Sequence, residues 1–377
     1  MHRTLLFFSA GCVLPTSAAF ASPSLTGLGS LPGGPQYSQA FGVSDDGRVV
    51  VGTALAGGAH QPFRWTADGG MVGLGSLWWA ARGFGTNADG SVVVGYSDSP
   101  SYPAEAFRWT AAGGTIGLGV ASGHSWSQAY AVSDDGTVVT GVSARHSLTG
   151  SSQAFRWTQA DGIQTLGDLP GGSESSWGTA INADGSVIVG IGTTAPDRAE
   201  PFRWTADTGM VGLGSLPGYS TGWAWGVSAA GDVVVGDFSN EGDVSREAFR
   251  WTPDGGIASL GDLPGGVLRS RALACSGDGT IVVGQASGSA SWEAFLWTAD
   301  TGMQRLWDVL LAHGVDPGAL GWDQLTEATA ISFDGNTIVG NGRRDGVNEG
   351  FVAVVPETAT IVSLALAGLV VAARRWR

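Results

Sequence analysis

Apolar residues in this chain come in short bursts, each bounded by Gly and Asp. A Ser/Asn-x-Asp-Gly step leads into a Val-rich run ending in Gly: Asp46-Gly47 leads to Gly52, Asp89-Gly90 to Gly95, Asp135-Gly136 to Gly141, Asp184-Gly185 to Gly190, Asp278-Gly279 to Gly284 and Asp334-Gly335 to Gly340. Gly231-Asp232, leading to Gly236, is a seventh copy. Asp-Gly supplies the positive φ angles of a tight hairpin turn, so each copy predicts two short antiparallel strands. A second burst, Phe63-Arg64-Trp65-Thr66, returns at 107–110, 155–158, 202–205 and 249–252, with Phe295-Leu296-Trp297-Thr298 as a variant. Its Trp residues are 44, 48, 47, 47 and 46 positions apart. A period in this range marks a repeat architecture, and Phe and Trp two apart share one face of a strand.

The first unit then reads as four short strands over 40–44, 49–52, 63–66 and 71–75, the last two joined by a turn at Asp68-Gly69-Gly70. Such a sheet has open edges and two apolar faces, and packing copies radially covers both faces. The ends of the repeat region specify closure. Residues 25–30 match a fourth strand with no first three, while 330–332, 337–340 and 350–354 match strands one to three with no fourth. The expectation is an all-β fold, a seven-bladed β-propeller with four short strands per blade, its ring closed by the N-terminal strand pairing with the C-terminal three. One departure follows Met303: Leu306, Val309, Leu310 and His313 lie at helical spacing, Gly314 is a stop, and Leu320-Gly321-Trp322 adjoins to seat the helix on the ring.

Composition narrows the class. Of 377 residues 62 are Gly and 16 Trp, 43% are hydrophobic and 14% charged, which excludes coiled coils and charged disordered chains. Every basic side chain other than His is Arg, and 19 of them face 33 Asp and Glu, a net charge of −14. Backbone binding to nucleic acid needs a basic face, so nucleic acid is not an expected partner.

The ends read as separate parts. Residues 1–21 resemble a secretory signal peptide, with His2 and Arg3, an apolar stretch over 5–14 and Ala19-Phe20-Ala21 for cleavage. Lipid attachment at Cys12 is the lesser alternative, because Ser9 stands where that signal wants a bulky aliphatic residue. Cys275 then remains alone, at a repeated Val position, and is read as a small buried apolar residue. The propeller spans 22–355 and the tail 356–377, where an apolar segment over 360–373 is stopped by Arg374-Arg375-Trp376-Arg377. Arginines hold such a stop in the cytoplasm. At ~1.5 Å per residue the segment is short for a bilayer core of about 30 Å, so the expected transmembrane helix is a transient inner-membrane anchor and the chain's one membrane contact.

Two family resemblances follow from these residues. The tail order of Pro356-Glu357-Thr358, apolar helix and terminal arginines resembles the PEP-CTERM sorting signal, although the second proline of the motif is absent. That resemblance implies processing by an exosortase-like partner; a simple C-terminal membrane tail is the alternative. The pattern Ala-x-x-Val-Ser-x-Asp-Gly, then Ala-Phe-Arg-Trp-Thr, then Leu-Gly-Asp-Leu-Pro-Gly-Gly over 166–172 and 260–266 resembles the HAF-type extracellular repeat of bacterial exported proteins, across about residues 25–355. It implies export to the cell surface or beyond and a β repeat fold, and it carries no activity, cofactor or catalytic residue.

In a propeller the turns after strands one and three lie on one face and the links after strands two and four on the other. The links vary, and variable loops on a rigid scaffold are where recognition is expected. They carry Trp78, Trp79, Trp126, Trp177, Trp223, Tyr37 and Tyr219 as candidate ligand-binding residues that could stack on sugar rings or anchor a protein partner, against a reading in which the rings plug the channel or pack between blades. Trp225 aligns with Phe41 and Tyr130 inside strand one and is assigned to packing. Arg64, Arg108, Arg156, Arg203 and Arg250 recur blade by blade, so they are expected to stack on a neighbouring Trp or pair with a turn Asp rather than to bind an anion. The acidic stretch 237–243 could attract calcium, but its spacing fits no EF-hand, and neither metal nor cofactor is expected. No H-E-x-x-H, C-x-x-C or Walker A motif occurs, and His60, His124, His146 and His313 fall in unrelated places. The leading expectation is a non-enzymatic exported binding or structural module for glycans or extracellular polymer. The alternative, a propeller glycoside hydrolase or lyase, should break the repeat with two or more unmatched carboxylates converging at one end of the channel.

Overall fold

The computed structural model describes residues 22–145, 151–195, 198–240, 245–266, 269–288 and 291–356. Residues 1–21, where a signal peptide is expected, the tail from 357 onward, His146 and residues 241–244 of the acidic stretch lie outside the described residues.

The S-x-D-G step works as a self-contained turn. In the first copy Ser44 Oγ donates to Asp46 Oδ1 at 2.7 Å and accepts from the amide of Val49 at 2.9 Å, while Gly47, at φ 71°, returns its amide to the Ser44 carbonyl. Hydroxyls and amides gathered in this way stabilise the ionised carboxylate. At Asp135 the Ser133 hydroxyl, then Thr137, holds the acid below its ordinary range.

These turns and the Phe-Arg-Trp-Thr strands assemble seven four-stranded antiparallel blades. Blade 1 consists of Ser38–Val43, Val49–Ala56, Ala59–Thr66 and Gly70–Gly73 in spatial order, and blades 2 to 6 follow along the chain with first strands Ala81–Thr86, Trp126–Val132, Ser176–Ile181, Thr221–Val227 and Ser270–Cys275. Its middle strands outrun their sequence bounds, because past Gly52 and before Phe63 the same ladder continues from Thr53↔Pro62 to Ala56↔Ala59. Blade 7 takes Trp322–Ile331, Thr337–Arg344 and Val347–Val354 from the end of the repeat region, and Ser24–Gly27 pairs antiparallel on its outer edge, with Ser24 opposite Val354. Blades 4 and 5 are also joined by one parallel pair, Ala199↔Thr221.

The first strands are innermost, each touching its two neighbours, and the circle closes between blades 7 and 1. The closing joint repeats the chemistry of the internal ones. Between blades 2 and 3, Ser127 Oγ takes the Ala106 amide and gives its proton to the Gly119 carbonyl; at the closure, Ser38 Oγ takes the Gly350 amide and gives its proton to the Gly29 carbonyl.

Every first strand carries a bulge at one equivalent position, where Phe41, Phe84, Tyr130, Thr179, Trp225, Leu273 and Thr329 are the skipped residues, and the first strand of blade 7 skips Asp323 and Thr326 as well. A bulge bends a strand and re-aims its side chains. It also explains the Gly that ends each Val-rich run. A Cβ on Gly95 would fall on the Arg82 carbonyl and the Phe107 ring, so only hydrogen fits there. Phe63, Phe107, Phe155, Phe202, Phe249, Phe295 and Phe351 are fully buried beneath these positions.

The repeated Arg is structural, with a partner other than those expected. The Nε of Arg64, Arg108, Arg203 and Arg250 donates to the turn-glycine carbonyl of the next blade, Gly90, Gly136, Gly231 and Gly279, at 2.9 to 3.1 Å. The insert after Met303 forms a helix, Leu306–Ala312, that buries Leu306 and Leu310 in one cluster with Leu25, Trp322 and Ala353, wedging it against the closing blade. Cys275 is a free thiol, half-buried rather than fully buried as expected, and desolvation pushes it up to about 12.

Candidate ligand-binding groove

The two faces of the wheel differ in how their polar groups are used. On the turn face, the second residue of each strand-one turn donates its amide to the carbonyl of the next: Asp45 to Ala88, Ala88 to Asp134, Asp134 to Ala183, Ala183 to Ala229, Ala229 to Gly277, Gly277 to Phe333, and Phe333 back to Asp45, at 2.9 to 3.3 Å. Seven amides thus close a ring around the axis. Asp45, Asp134 and Phe333 break the Ala/Gly pattern here and line one cavity of about 110 Å³ with Ile181, Val227, Cys275 and Ile331. Burial, then the charge of Asp134, pushes Asp45 up to about 6; burial, then Asp135, raises Asp134.

On the link face the candidate aromatics divide. Trp78 and Trp79, in the link from blade 1 to blade 2, are 65% and 61% exposed. Their loop is pinned by Asp98 from the other link of blade 2, whose Oδ1 accepts the amides of Trp79 at 2.9 Å and Ala80 at 2.8 Å. Ser97 Oγ also accepts the Leu77 amide at 3.0 Å, and Ser99 turns the second loop back by accepting the Tyr102 amide at 3.0 Å. The result is an open groove walled by Trp78, Trp79, Asp98, Tyr102, Pro100 and Pro103.

The other five candidates are packed. Trp126 is 6% exposed, edge-on to Trp177. Trp177 stacks on Tyr130, meets Trp223 edge-on and donates its Nε1 to Ser152 Oγ. Trp223 lies flat on Trp225, 4.9 Å between centroids, and Arg271 covers the far end of the run at 5.0 Å from the Trp225 ring. With Phe41–Phe84 and Phe84–Tyr130 contacts, these rings form a continuous arc along the inner strands of blades 1 to 5. Tyr37 rests against His60 and Tyr219 against Phe238, both half-buried.

Asp237 has no room for calcium. It is fully buried and spends both oxygens on Arg246 at 2.8 Å, Arg271 at 3.3 Å and Trp225 Nε1 at 2.5 Å. Among the described residues no group of three or more His, Cys, Asp or Glu could hold a metal, and no helix is long and apolar enough to cross a membrane. Burial lowers His60 and His124, and His313 is bonded through Nδ1 to the Val309 carbonyl, so the three described histidines face separate surroundings. Sequence reasoning missed Asp98 and the carboxylate pair, because each is brought to its neighbours by the fold alone.

No family model and no curated protein matches the chain. Solved structures do resemble it. An oligogalacturonate lyase in complex with manganese aligns over 84% of this chain and 89% of its own at 14% identity, TM-score 0.55. The oligogalacturonate lyase of Vibrio parahaemolyticus aligns over 91% and 100% at 12% identity, TM-score 0.55. A puromycin hydrolase aligns over 86% of this chain but 54% of its own, at 12% identity and TM-score 0.55. At such identity the likeness concerns the propeller fold.

Proposed function

We propose that this propeller is an exported, non-enzymatic binding module whose link face engages a glycan or extracellular polymer through the Trp78–Trp79 groove. The observation that carries the reading is the pair of exposed indoles. Two large rings at 65% and 61% exposure, on a loop held rigid by three hydrogen bonds from blade 2, are a platform with no partner inside the described chain. The signal-like residues 1–21 and the HAF-like repeats support export, and the PEP-CTERM-like tail supports delivery to an exosortase-like enzyme and final residence at the cell surface or outside. A glycan array probed with the full chain and with its Trp78→Ala/Trp79→Ala variant tests the reading. Retention of glycans by the parent and their loss from the variant are expected; a parent that retains none overturns it.

The hydrolase or lyase alternative has one observation in its favour, the Asp45–Asp134 pair at one end of the channel. Against it, their shared cavity of about 110 Å³ is a space for a few waters, smaller than a sugar ring needs. Release of reducing ends from a retained glycan by the full chain, abolished in Asp45→Asn, would favour cleavage.

A further inference from the structure

Resting on the glycan reading, we infer that the groove selects uncharged saccharides rich in equatorial hydroxyls and discriminates against uronates. A pyranose with equatorial hydroxyls presents C–H bonds on both ring faces, and those faces fit the negative face of an indole. Trp78 and Trp79 supply two adjacent, largely exposed indoles. A stacked sugar needs a fixed polar partner at its rim to set orientation. Asp98 supplies one: Oδ1 is committed to the Trp79 and Ala80 amides, which fixes the carboxylate and leaves Oδ2 to accept sugar hydroxyls.

The charge of that partner decides the class of sugar. The groove contains one carboxylate and no arginine among its lining residues, and the whole chain carries −14 without a single Lys. A polyuronate brings one negative charge per residue to this acidic rim with no cation to meet it. At contact distance in water a like-charge pair costs about fivefold in affinity, and salt within physiological range screens part of that. The solved lyases are therefore similar to this chain in fold while the groove departs from what an acidic oligosaccharide would require.

The test titrates the full chain with cellohexaose and with hexagalacturonate, following intrinsic Trp fluorescence and calorimetric heat at 20 and 150 mM salt. Cellohexaose should bind at least fivefold tighter at low salt, with the gap narrowing at high salt. Trp78→Ala should weaken cellohexaose at least tenfold with thermal stability unchanged. Asp98→Asn keeps an acceptor oxygen for the loop amides, so it should weaken cellohexaose only severalfold while shrinking the preference for the neutral sugar. Hexagalacturonate binding equally or more tightly, with Trp78→Ala still disruptive, overturns the charge argument and leaves the glycan reading standing. Binding of either sugar that Trp78→Ala leaves untouched overturns both for this groove, and the absence of binding by both overturns the selectivity inferred here.

Discussion

The turn face and the link face are made by the same blades, yet one has used its polar groups and the other has not. Around the axis on the turn face, every second turn residue both gives and takes a main-chain hydrogen bond, and no side chain is needed for it. On the link face, loops of unequal length hold Trp78 and Trp79 out in solvent, and Asp98 keeps an oxygen in hand. The two faces therefore tolerate variation differently. Main-chain closure admits Asp, Ala, Gly or Phe at one position, whereas a groove depends on which side chain each loop brings.

The comparison can be broken first at the scaffold both faces share. Phe107→Ala empties a fully buried site beneath Gly95 and should lower stability by about 3–5 kcal/mol in urea unfolding. A loss under about 1 kcal/mol would mean that the blades do not rely on that core. Arg108→Met leaves the Gly136 carbonyl of the next blade without its donor, and a loss of about 1–3 kcal/mol is expected by the same measurement. Equal stability would reduce the staple to a surface contact.

A smaller effect should appear at the turn-face ring as a function of pH. Asp45 binds its proton more tightly folded than unfolded, since its folded value of about 6 lies above the ordinary 3.8. Its contribution is fully present below pH 3.8 and is lost as pH rises through 6. Asp45→Asn should therefore match the parent at pH 4 and melt higher at pH 8, by under about 1 kcal/mol once solvent screening is counted. A variant less stable than the parent at pH 8 would show that the carboxylate has a stabilising partner. Least of all should the link face matter to folding: Trp78→Ala is expected within about 0.5 kcal/mol of the parent while ligand retention falls.

Much of the scaffold was readable because its signals are local. Asp46-Gly47 and its copies name a turn within four residues, and the four-residue Phe-Arg-Trp-Thr names a strand. Closure was readable because a lone fourth strand stands before three that lack one. The bulge at Phe41 and its equivalents left no composition cue, since residues as different as Thr, Leu and Trp occupy it. The partner of Arg108 was missed for the same reason, as a carbonyl carries no side-chain identity. Within the groove, the adjacent indoles were visible and Asp98 was not, because it approaches from a loop 19 residues on. Trp126, Trp177 and Trp223 look like Trp78 in sequence, and only packing separates them.

Pairing Ser24 with Val354 also sets a timetable. Among the blade strands, the one that seals the wheel is made first and its mate last, so until then the chain holds blades that cannot yet be locked. Bringing such distant segments together carries an entropy cost that grows only slowly with separation, but the search must wait for the whole length to be delivered. A molecule wired this way stays an open row of blades until its last strand has been made.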